Sequence, residues 1–296
     1  MMILKNILIC TMAFTGMVSC NTELEEEISW DLDEQPDMLV VEGTITNEQK
    51  RHIVFLSLTG PYFSTDAPRP VQGAEITVDD GDILYKFSEN ETNRGNYISD
   101  SSFAGETGKK YTLRIMLSTP VNGRAEYTAE TVMPEGLTID TIICEIYRMP
   151  EIILGIGDDE IDSTILSIYY EGKEPEHPDN YYLGRIFRND VPWQATVGDY
   201  LRFTDDYNNG NSADYILFAK NVVAQDTIRF NISSVGKDYY DYIGSIQQMD
   251  QSGNAYNMSG PPANAIGNIN NALGFFYACF ISEKTGFAVD KRYPEY

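Results

Sequence analysis

The chain has 296 residues, in which 45 Asp and Glu oppose 21 Lys and Arg, and its formal net charge is −24. A surface with this charge repels polyanions, so the composition argues against nucleic acid as a partner. The 20 tyrosines and the segments rich in Val, Ile, Thr and Phe favour a mainly β fold.

Residues 1–19 have the layout of a secretory signal peptide. Lys5 supplies the positive charge, and the apolar segment from Ile7 to Phe14 is shorter than the roughly 20 residues that a transmembrane helix needs. The end of the leader, Met17-Val18-Ser19-Cys20, resembles a bacterial lipobox. This resemblance implies cleavage before Cys20 and diacylglycerol on its thiol, and acyl chains anchor a protein by about 0.8 kcal/mol for each buried methylene. Ordinary secretion, with an incidental Cys20, is the alternative.

Residues 20–36 form a predicted acidic tether, because glutamates follow closely after Cys20 and the segment has few residues that could build a core. Acidic residues at this position resemble an export signal of Bacteroidota lipoproteins. That resemblance implies an outer-membrane protein that faces the cell surface, with the periplasmic face as the alternative.

Residues 37–135 contain short alternating segments that predict an antiparallel β-sandwich of the immunoglobulin or transthyretin type. The clearest pair is a hairpin, in which residues 74–78 and 83–87 flank the turn residues 79–82. The segment 70–78 resembles a strand of transthyretin-like and carboxypeptidase-regulatory-like modules, which are usually adaptors. Pro134 marks the expected domain boundary, since proline interrupts a sheet. Further strands are predicted at 40–45, 53–58, 95–98, 111–115 and 126–132.

Residues 136–296 predict a second antiparallel β domain that carries one helix. Apolar residues at helical spacing place this helix near 234–250, with Ser233 or Ser234 as its N-cap. The apolar segment 274–281 is typical of a central strand that is buried on both faces. Other strands are predicted at 139–147, 165–170, 181–187, 215–219 and 226–232.

Two cysteines, Cys144 and Cys279, remain in the predicted folded part of the chain. Outside the cytoplasm they could form a disulfide. Both lie in apolar segments, which fits two buried free thiols equally well. No CxxC motif is present, so nothing in the sequence indicates a redox or zinc site.

Ordered segments along nearly the whole mature sequence are similar to those of the DUF4249 lipoproteins of Bacteroidota. They are residues 39–47 (LVVEGTITN), 71–74 (VQGA), 108–113 (GKKYTL), 238–242 (DYYDY) and 261–276 (PPANAIGNINNALGFF). In the last segment, residues 270–272 stand where the family usually has a pair of glycines. The resemblance implies a lipoprotein that is often encoded near TonB-dependent transporters, and it implies no reaction.

The sequence contains no G-x-S-x-G or H-E-x-x-H motif and no dinucleotide fingerprint, so it predicts no catalytic residue, no metal and no cofactor. His52 and His177 are too few for a histidine-based zinc site. Two acidic segments could offer oxygen ligands to calcium, but neither follows the EF-hand pattern, and we expect solvated loops. Their residues are Asp158, Asp159, Glu160 and Asp162, and Asp205, Asp206, Asn208 and Asn209.

Trp193 and Tyr207 are the candidate ligand contacts, because exposed aromatic rings can stack on sugars, although core packing is their commoner role. The leading hypothesis is a non-catalytic, lipid-anchored accessory or ligand-binding protein that works with a TonB-dependent transporter in nutrient uptake. The alternatives are a surface carbohydrate- or peptide-active enzyme whose site is scattered over loops, and a purely structural surface component.

Overall fold

The computed structural model describes residues 36–60, 67–148, 164–177, 179–205, 213–218, 222–252 and 265–291. These residues confirm a mainly β protein that carries one α-helix, α1 (Lys237–Ser252). The predicted signal peptide, Cys20 and nearly all of the predicted tether lie outside the described residues. In chain order the strands are β1 (Leu39–Thr46), β2 (Ile53–Leu58), β3 (Arg69–Pro70), β4 (Glu75–Asp79), β5 (Leu84–Glu89), β6 (Asn96–Ser99), β7 (Lys110–Val121), β8 (Arg124–Val132), β9 (Thr138–Arg148), β10 (Thr164–Lys173), β11 (Tyr181–Arg188), β12 (Val191–Pro192), β13 (Leu201–Thr204), β14 (Ala213–Phe218), β15 (Thr227–Val235) and β16 (Leu273–Lys291).

The strands of residues 37–135 follow the alternation that the sequence shows. They are ordered β1-β2-β6-β5-β4-β7-β8, and neighbours in this order pair antiparallel. The predicted hairpin is confirmed: Ile76 pairs with Phe87, and Gly81 takes a φ of 91° in the turn. Every second side chain enters one core, and each large apolar side chain buried there contributes about 1.5–3 kcal/mol.

Strand β16 pairs in turn with three strands that lie far from one another in the sequence. Residues 273–279 run parallel to β1, residues 279–287 antiparallel to β15, and residues 288–291 parallel to β9. The sheet is therefore mixed, whereas the sequence predicted antiparallel pairs alone, and β16 connects the segments 37–135 and 136–296. The first part of β16 is buried on both faces, as predicted: Phe275 is 4% exposed and Phe276 0%.

Two asparagines hold β16 by pairing with its backbone. Asn268 Nδ2 donates to the carbonyl of Phe276 at 2.7 Å, and the amide of Phe276 donates to Asn268 Oδ1 at 2.9 Å. Asn47 makes the same double contact with Ile281, at 3.1 and 2.7 Å. Both asparagines belong to segments on which the family resemblance depends, so these motif residues serve the fold.

Beyond residue 136, sheet β11-β15-β16 has apolar side chains on both faces. On one face it shares a core with strands β9 and β10, formed by Ile146, Leu166, Ile168, Ile186, Phe230 and their neighbours. On the other face α1 packs against it, through Tyr239 and Ile243 on Leu183, Phe275 and Cys279. Tyr239 and Ile243 thus fill a core between α1 and the sheet.

The helix begins three residues later than the sequence predicted. Ser233 and Ser234 are not its N-cap, because both continue β15 up to Val235. Ser234 Oγ instead accepts a hydrogen bond from the amide of Leu137 at 3.0 Å. Pairing with β16 outweighs the local capping preference here, since a strand buried between two neighbours gains more from its ladder than from a cap.

Both cysteines are buried free thiols that lie in different cores. Cys144 belongs to the core shared with β9 and β10, and Cys279 lies beneath α1. Burial raises the pKa of Cys144 to about 11 and that of Cys279 to about 12. Of the two alternatives that the sequence left open, the structure therefore has free thiols.

Candidate ligand-binding surface

Cationic and aromatic side chains alternate on the face of β11 that carries α1. Side chains along a strand point to opposite faces in turn, so Tyr182 and Ile186 enter the core, and Tyr181, Arg185 and Phe187 lie on the helix side. Side chains from α1, β15 and the β13 region extend this arrangement. We call the set the cation–aromatic ladder: Lys237, Tyr181, Tyr240, Arg202, Tyr200, Arg185, Phe187 and Arg229.

The first half of the ladder lies beside α1. Lys237 Nζ is 5.7 Å from the ring centroid of Tyr181, whose ring lies 5.2 Å from that of Tyr240. The guanidinium carbon of Arg202 lies 4.0 Å from the Tyr240 centroid, close enough for a cation–π contact. A Cβ atom on the helix residue Gly244 would lie 2.4 Å from Arg202 Nη1, so the glycine leaves the space that this guanidinium occupies.

The second half of the ladder lies further along β11. The guanidinium carbon of Arg185 is 5.0 Å from the ring centroids of both Tyr200 and Phe187. On the neighbouring strand β15, the guanidinium carbon of Arg229 lies 3.9 Å from the Phe187 centroid. Gln247 of α1 donates to the carbonyl of Tyr200 at 2.7 Å and so fixes the start of β13 against the helix.

Arg185 and Arg202 differ from the other cations of the ladder because neither has a carboxylate partner among the described residues. Arg229 Nη1 lies 3.1 Å from Glu283, and Lys237 Nζ lies 2.5 Å from Asp241. The Nε atoms of Arg185 and Arg202 are buried, and within the described ranges they meet no hydrogen-bond acceptor. A buried donor without an acceptor costs about 1–3 kcal/mol, so stacking must offset this cost in the free protein.

This arrangement suits the recognition of an anion. A guanidinium that stacks on a ring by its flat face keeps its N–H donors at the edge, in the plane where they bind a carboxylate or phosphate in a fork. Contact with the rings of Tyr200 and Tyr240 restrains the two side chains before a ligand binds, which lowers the conformational entropy lost on binding. The ladder can therefore present two pre-oriented cations to a ligand.

The residues predicted as ligand contacts do not belong to the ladder. Trp193 is half-buried and packs against the core shared with β9 and β10, on the opposite face of the sheet. Its amide donates to the carbonyl of Ile186 at 2.8 Å, and its ring borders a shallow depression with Arg188 and Val191. Tyr207 lies outside the described residues.

The predicted metal-ligand candidates serve local structure where they are described. Asp205 is buried and accepts a hydrogen bond from Asn180 at 3.0 Å. His177 Nε2 lies 2.9 Å from a carboxylate oxygen of exposed Glu135, and His52 Nε2 contacts the carbonyl of Phe103 at 2.9 Å. No group of three or more His, Cys, Asp or Glu residues in the described ranges could hold a metal ion. The remaining acidic-loop residues lie outside these ranges: Asp158, Asp159, Glu160, Asp162, Asp206, Asn208 and Asn209.

A second, carboxylate-rich depression lies next to residue 136. Glu135, Glu174, Glu176 and His177 line it together with Phe280 of β16. Glu174 also accepts a hydrogen bond from the hydroxyl of buried Tyr182 at 2.6 Å, and burial, with this acidic neighbour, raises the pKa of Tyr182 far above its ordinary value. The depression is open and holds several carboxylates, which are the groups that hydrolytic enzymes use.

Sequence reasoning missed the ladder because its members come from separate segments. Arg202 lies on β13, a four-residue strand that the sequence did not predict. The alternation of Tyr181, Arg185 and Phe187 on β11 is visible in the sequence, but only the fold brings Tyr200 and Tyr240 to the same face. That alternation along β11 was the one signal that the sequence offered.

Comparisons with known proteins give the family of this chain. A family model described as a domain of unknown function, DUF4249, matches residues 25–285. No curated protein matches the chain. Among solved structures, a chain titled as a cytokine receptor complex shares 8% identity, covers 68% of this chain and 86% of its own, and has a TM-score of 0.23. The Fcho1 Mu homology domain of Danio rerio, with bound Eps15 peptide, shares 7% identity and has a TM-score of 0.18. That match covers 87% of this chain and 96% of the other.

Proposed function

Because the chain belongs to the DUF4249 family, we propose that it is a lipid-anchored, non-catalytic accessory or ligand-binding protein of the outer membrane. In this proposal it works with a TonB-dependent transporter in nutrient uptake. The family carries no assigned reaction, so the proposal depends on the anchor motif, on the resemblance to lipoproteins and on the cation–aromatic ladder.

The anchor is supported by the leader sequence. The lipobox-like segment Met17-Val18-Ser19-Cys20 provides a cysteine at the position where acyl chains are attached in lipoproteins. Within the described part of the chain, no helix combines the length and the apolar composition that a membrane crossing requires. Two or three acyl chains on Cys20 would hold the protein at a membrane essentially permanently.

The single observation that carries the ligand-binding role is the pair of guanidiniums without carboxylate partners. The protein has 45 acidic residues against 21 Lys and Arg, so acidic partners for arginine are plentiful. Arg185 and Arg202 nevertheless have none in the described ranges, while nearby Arg188 and Arg229 are paired. Cations that lie on aromatic rings without a carboxylate partner favour a binding role over a purely structural one.

Pull-down of the tagged protein from native membranes tests the proposed partnership. We expect a TonB-dependent transporter to copurify with the wild type and not with Cys20→Ala, which we expect to leave the membrane fraction. A Ser19→Ala variant changes the neighbouring residue and controls for disturbance of the leader. Recovery of no transporter with the wild type would contradict the partnership.

A carbohydrate- or peptide-active enzyme is the second candidate, and the carboxylate-rich depression is the observation that favours it. Glu135, Glu174 and Glu176 line this depression. A screen on glycans and peptides, repeated with Glu174→Gln, distinguishes the two functions. Turnover that disappears in Glu174→Gln would support the enzyme and would overturn the non-catalytic proposal.

A further inference from the structure

We propose that Arg185 and Arg202 form an oxyanion-binding site, which takes a small ligand through a single carboxylate or phosphate group. This inference rests on the proposed ligand-binding function and names the chemistry of its ligand. The site is the central part of the ladder, where Tyr200 lies against Arg185 and Tyr240 lies against Arg202.

The register of the strands brings the two guanidiniums to one place. Strand β13 pairs antiparallel with β11, and Arg202 lies opposite Leu183, two residues from Arg185 along β11. Arg202 and Arg185 are therefore on the same face, and such diagonal neighbours have backbones about 7–8 Å apart. Two arginine side chains from such positions can reach the two oxygens of one anionic group.

The local charge balance leaves these two cations in excess. The described carboxylates that pair with the ladder are engaged by its other cations: Glu283 and Asp190 by Arg229, and Asp241 by Lys237. Asp199, in the turn before Tyr200, accepts hydrogen bonds from the amide and hydroxyl of Thr196, both at 3.0 Å. An incoming anion therefore meets two guanidiniums whose charge no described carboxylate neutralises at contact distance.

The net charge of the whole protein limits the size of the ligand. A total of −24 repels extended polyanions, which experience the field of many surface carboxylates. A small molecule in contact with Arg185 and Arg202 is affected mainly by its immediate neighbours, because salt screens charges beyond about 8 Å at physiological ionic strength. The site therefore suits one oxyanion on a small or otherwise neutral molecule.

The test measures binding to the full-length protein in detergent by titration calorimetry. Glucuronate presents a carboxylate, inorganic phosphate presents a phosphate, and glucose is the neutral control. We expect glucuronate or phosphate to bind and glucose not to bind. Binding of only one of the two anions would assign the site to that class, and binding of neither would overturn the proposal.

Variants of the two arginines locate the site. Arg185→Gln and Arg202→Gln should each lower the affinity for the anion about 10- to 150-fold. This corresponds to the loss of a charge-assisted hydrogen bond of about 1.5–3 kcal/mol. Arg124→Gln is the matched control, because Arg124 is exposed on β8, away from the ladder, and the variant removes the same charge. If Arg185→Gln and Arg202→Gln bound the anion as tightly as Arg124→Gln does, the assignment would be refuted.

If a variant fails to fold, chemical protection of arginines in the wild-type protein tests the same assignment. Phenylglyoxal modifies accessible arginines, and mass spectrometry of peptides reports each site separately. A saturating anion should slow the modification of Arg185 and Arg202 and leave that of Arg124 unchanged. Unprotected Arg185 and Arg202 would overturn the proposal. The outcome is independent of transporter recovery, so the oxyanion site and the transporter partnership can fail separately.

Discussion

Replacement of Phe276 by alanine tests whether β16 supports the core of residues 37–135. Phe276 is 0% exposed, and its ring lies over Gly43 of β1, where a Cβ atom would be 2.9 Å from Phe276 Cδ2. It belongs to the same core as Val54 and Leu113, more than 160 residues earlier in the chain. Alanine would leave a cavity that the paired strands on either side cannot close.

The expected loss of stability is about 3–5 kcal/mol, as for other buried Phe→Ala changes. At about 2–4 °C for each kcal/mol in a domain of this size, the Tm should fall by about 6–20 °C. Phe287→Ala is the matched control: it removes the same side chain from the same strand, but Phe287 is 61% exposed and should change stability by less than about 0.5 kcal/mol. Thermal unfolding followed by circular dichroism measures both.

Hydrogen exchange shows which strands lose stability in the variant. Phe276→Ala should increase the exchange of the amides of β2, including Val54 and Leu56, because they share the core that the variant disrupts. Unchanged protection of β2 in Phe276→Ala, or equal destabilisation by Phe287→Ala, would refute the conclusion that the last strand completes the N-terminal core.

Three further predictions concern Gly274, the two buried cysteines and Asp226. Gly274→Ala should destabilise strongly, because Gly274 has a φ of 89° and a Cβ atom there would lie 2.0 Å from the carbonyl oxygen of Val41; a thermal shift of under about 2 °C would contradict this. Cys144 and Cys279 should resist a thiol reagent at pH 8 until the protein is denatured, since burial raises the pKa of both; rapid native labelling would refute their burial. Asp226→Asn should remove stability at neutral pH and flatten acid unfolding. Burial opposes ionisation of this carboxyl, but hydrogen bonds from Val223, Asn189 and Arg188 outweigh it and lower its pKa.

The sign of the pH effect at Asp226 follows from that lowered pKa. A carboxyl whose folded pKa is depressed stabilises the fold above its unfolded pKa of about 3.9, and this contribution is lost as the pH falls through the folded value. The wild type should therefore lose more stability than Asp226→Asn between neutral pH and pH about 3. Asp140→Asn, at an exposed carboxyl on β9, is the control and should follow the wild type.

Most of the strands could be predicted from the sequence because side-chain alternation is a local property. The segment 53–58 was predicted with the bounds that β2 has, and the hairpin of β4 and β5 was predicted from its turn residues. The boundary of α1 was less predictable, since Ser234 could cap a helix and the pairing of β15 with β16 keeps it in a strand.

Long-range pairing could not be predicted from one sequence. The register that places Val40 beside Leu273 joins residues more than 230 positions apart, and nothing local in either strand specifies a parallel partner. The ladder has the same origin, because Arg202 and Arg185 become neighbours only through the pairing of β13 with β11. Pairing of distant strands therefore determines both the mixed sheet and the candidate site.

The central claim is that the protein is anchored by lipid at Cys20, and the mass of its mature amino-terminal peptide tests this most directly. Protein purified from the membrane fraction of its native cells should yield a peptide that begins at Cys20 and carries a diacylglycerol thioether with further acylation. A peptide with an unmodified cysteine, or one that retains residues 1–19, would contradict the account.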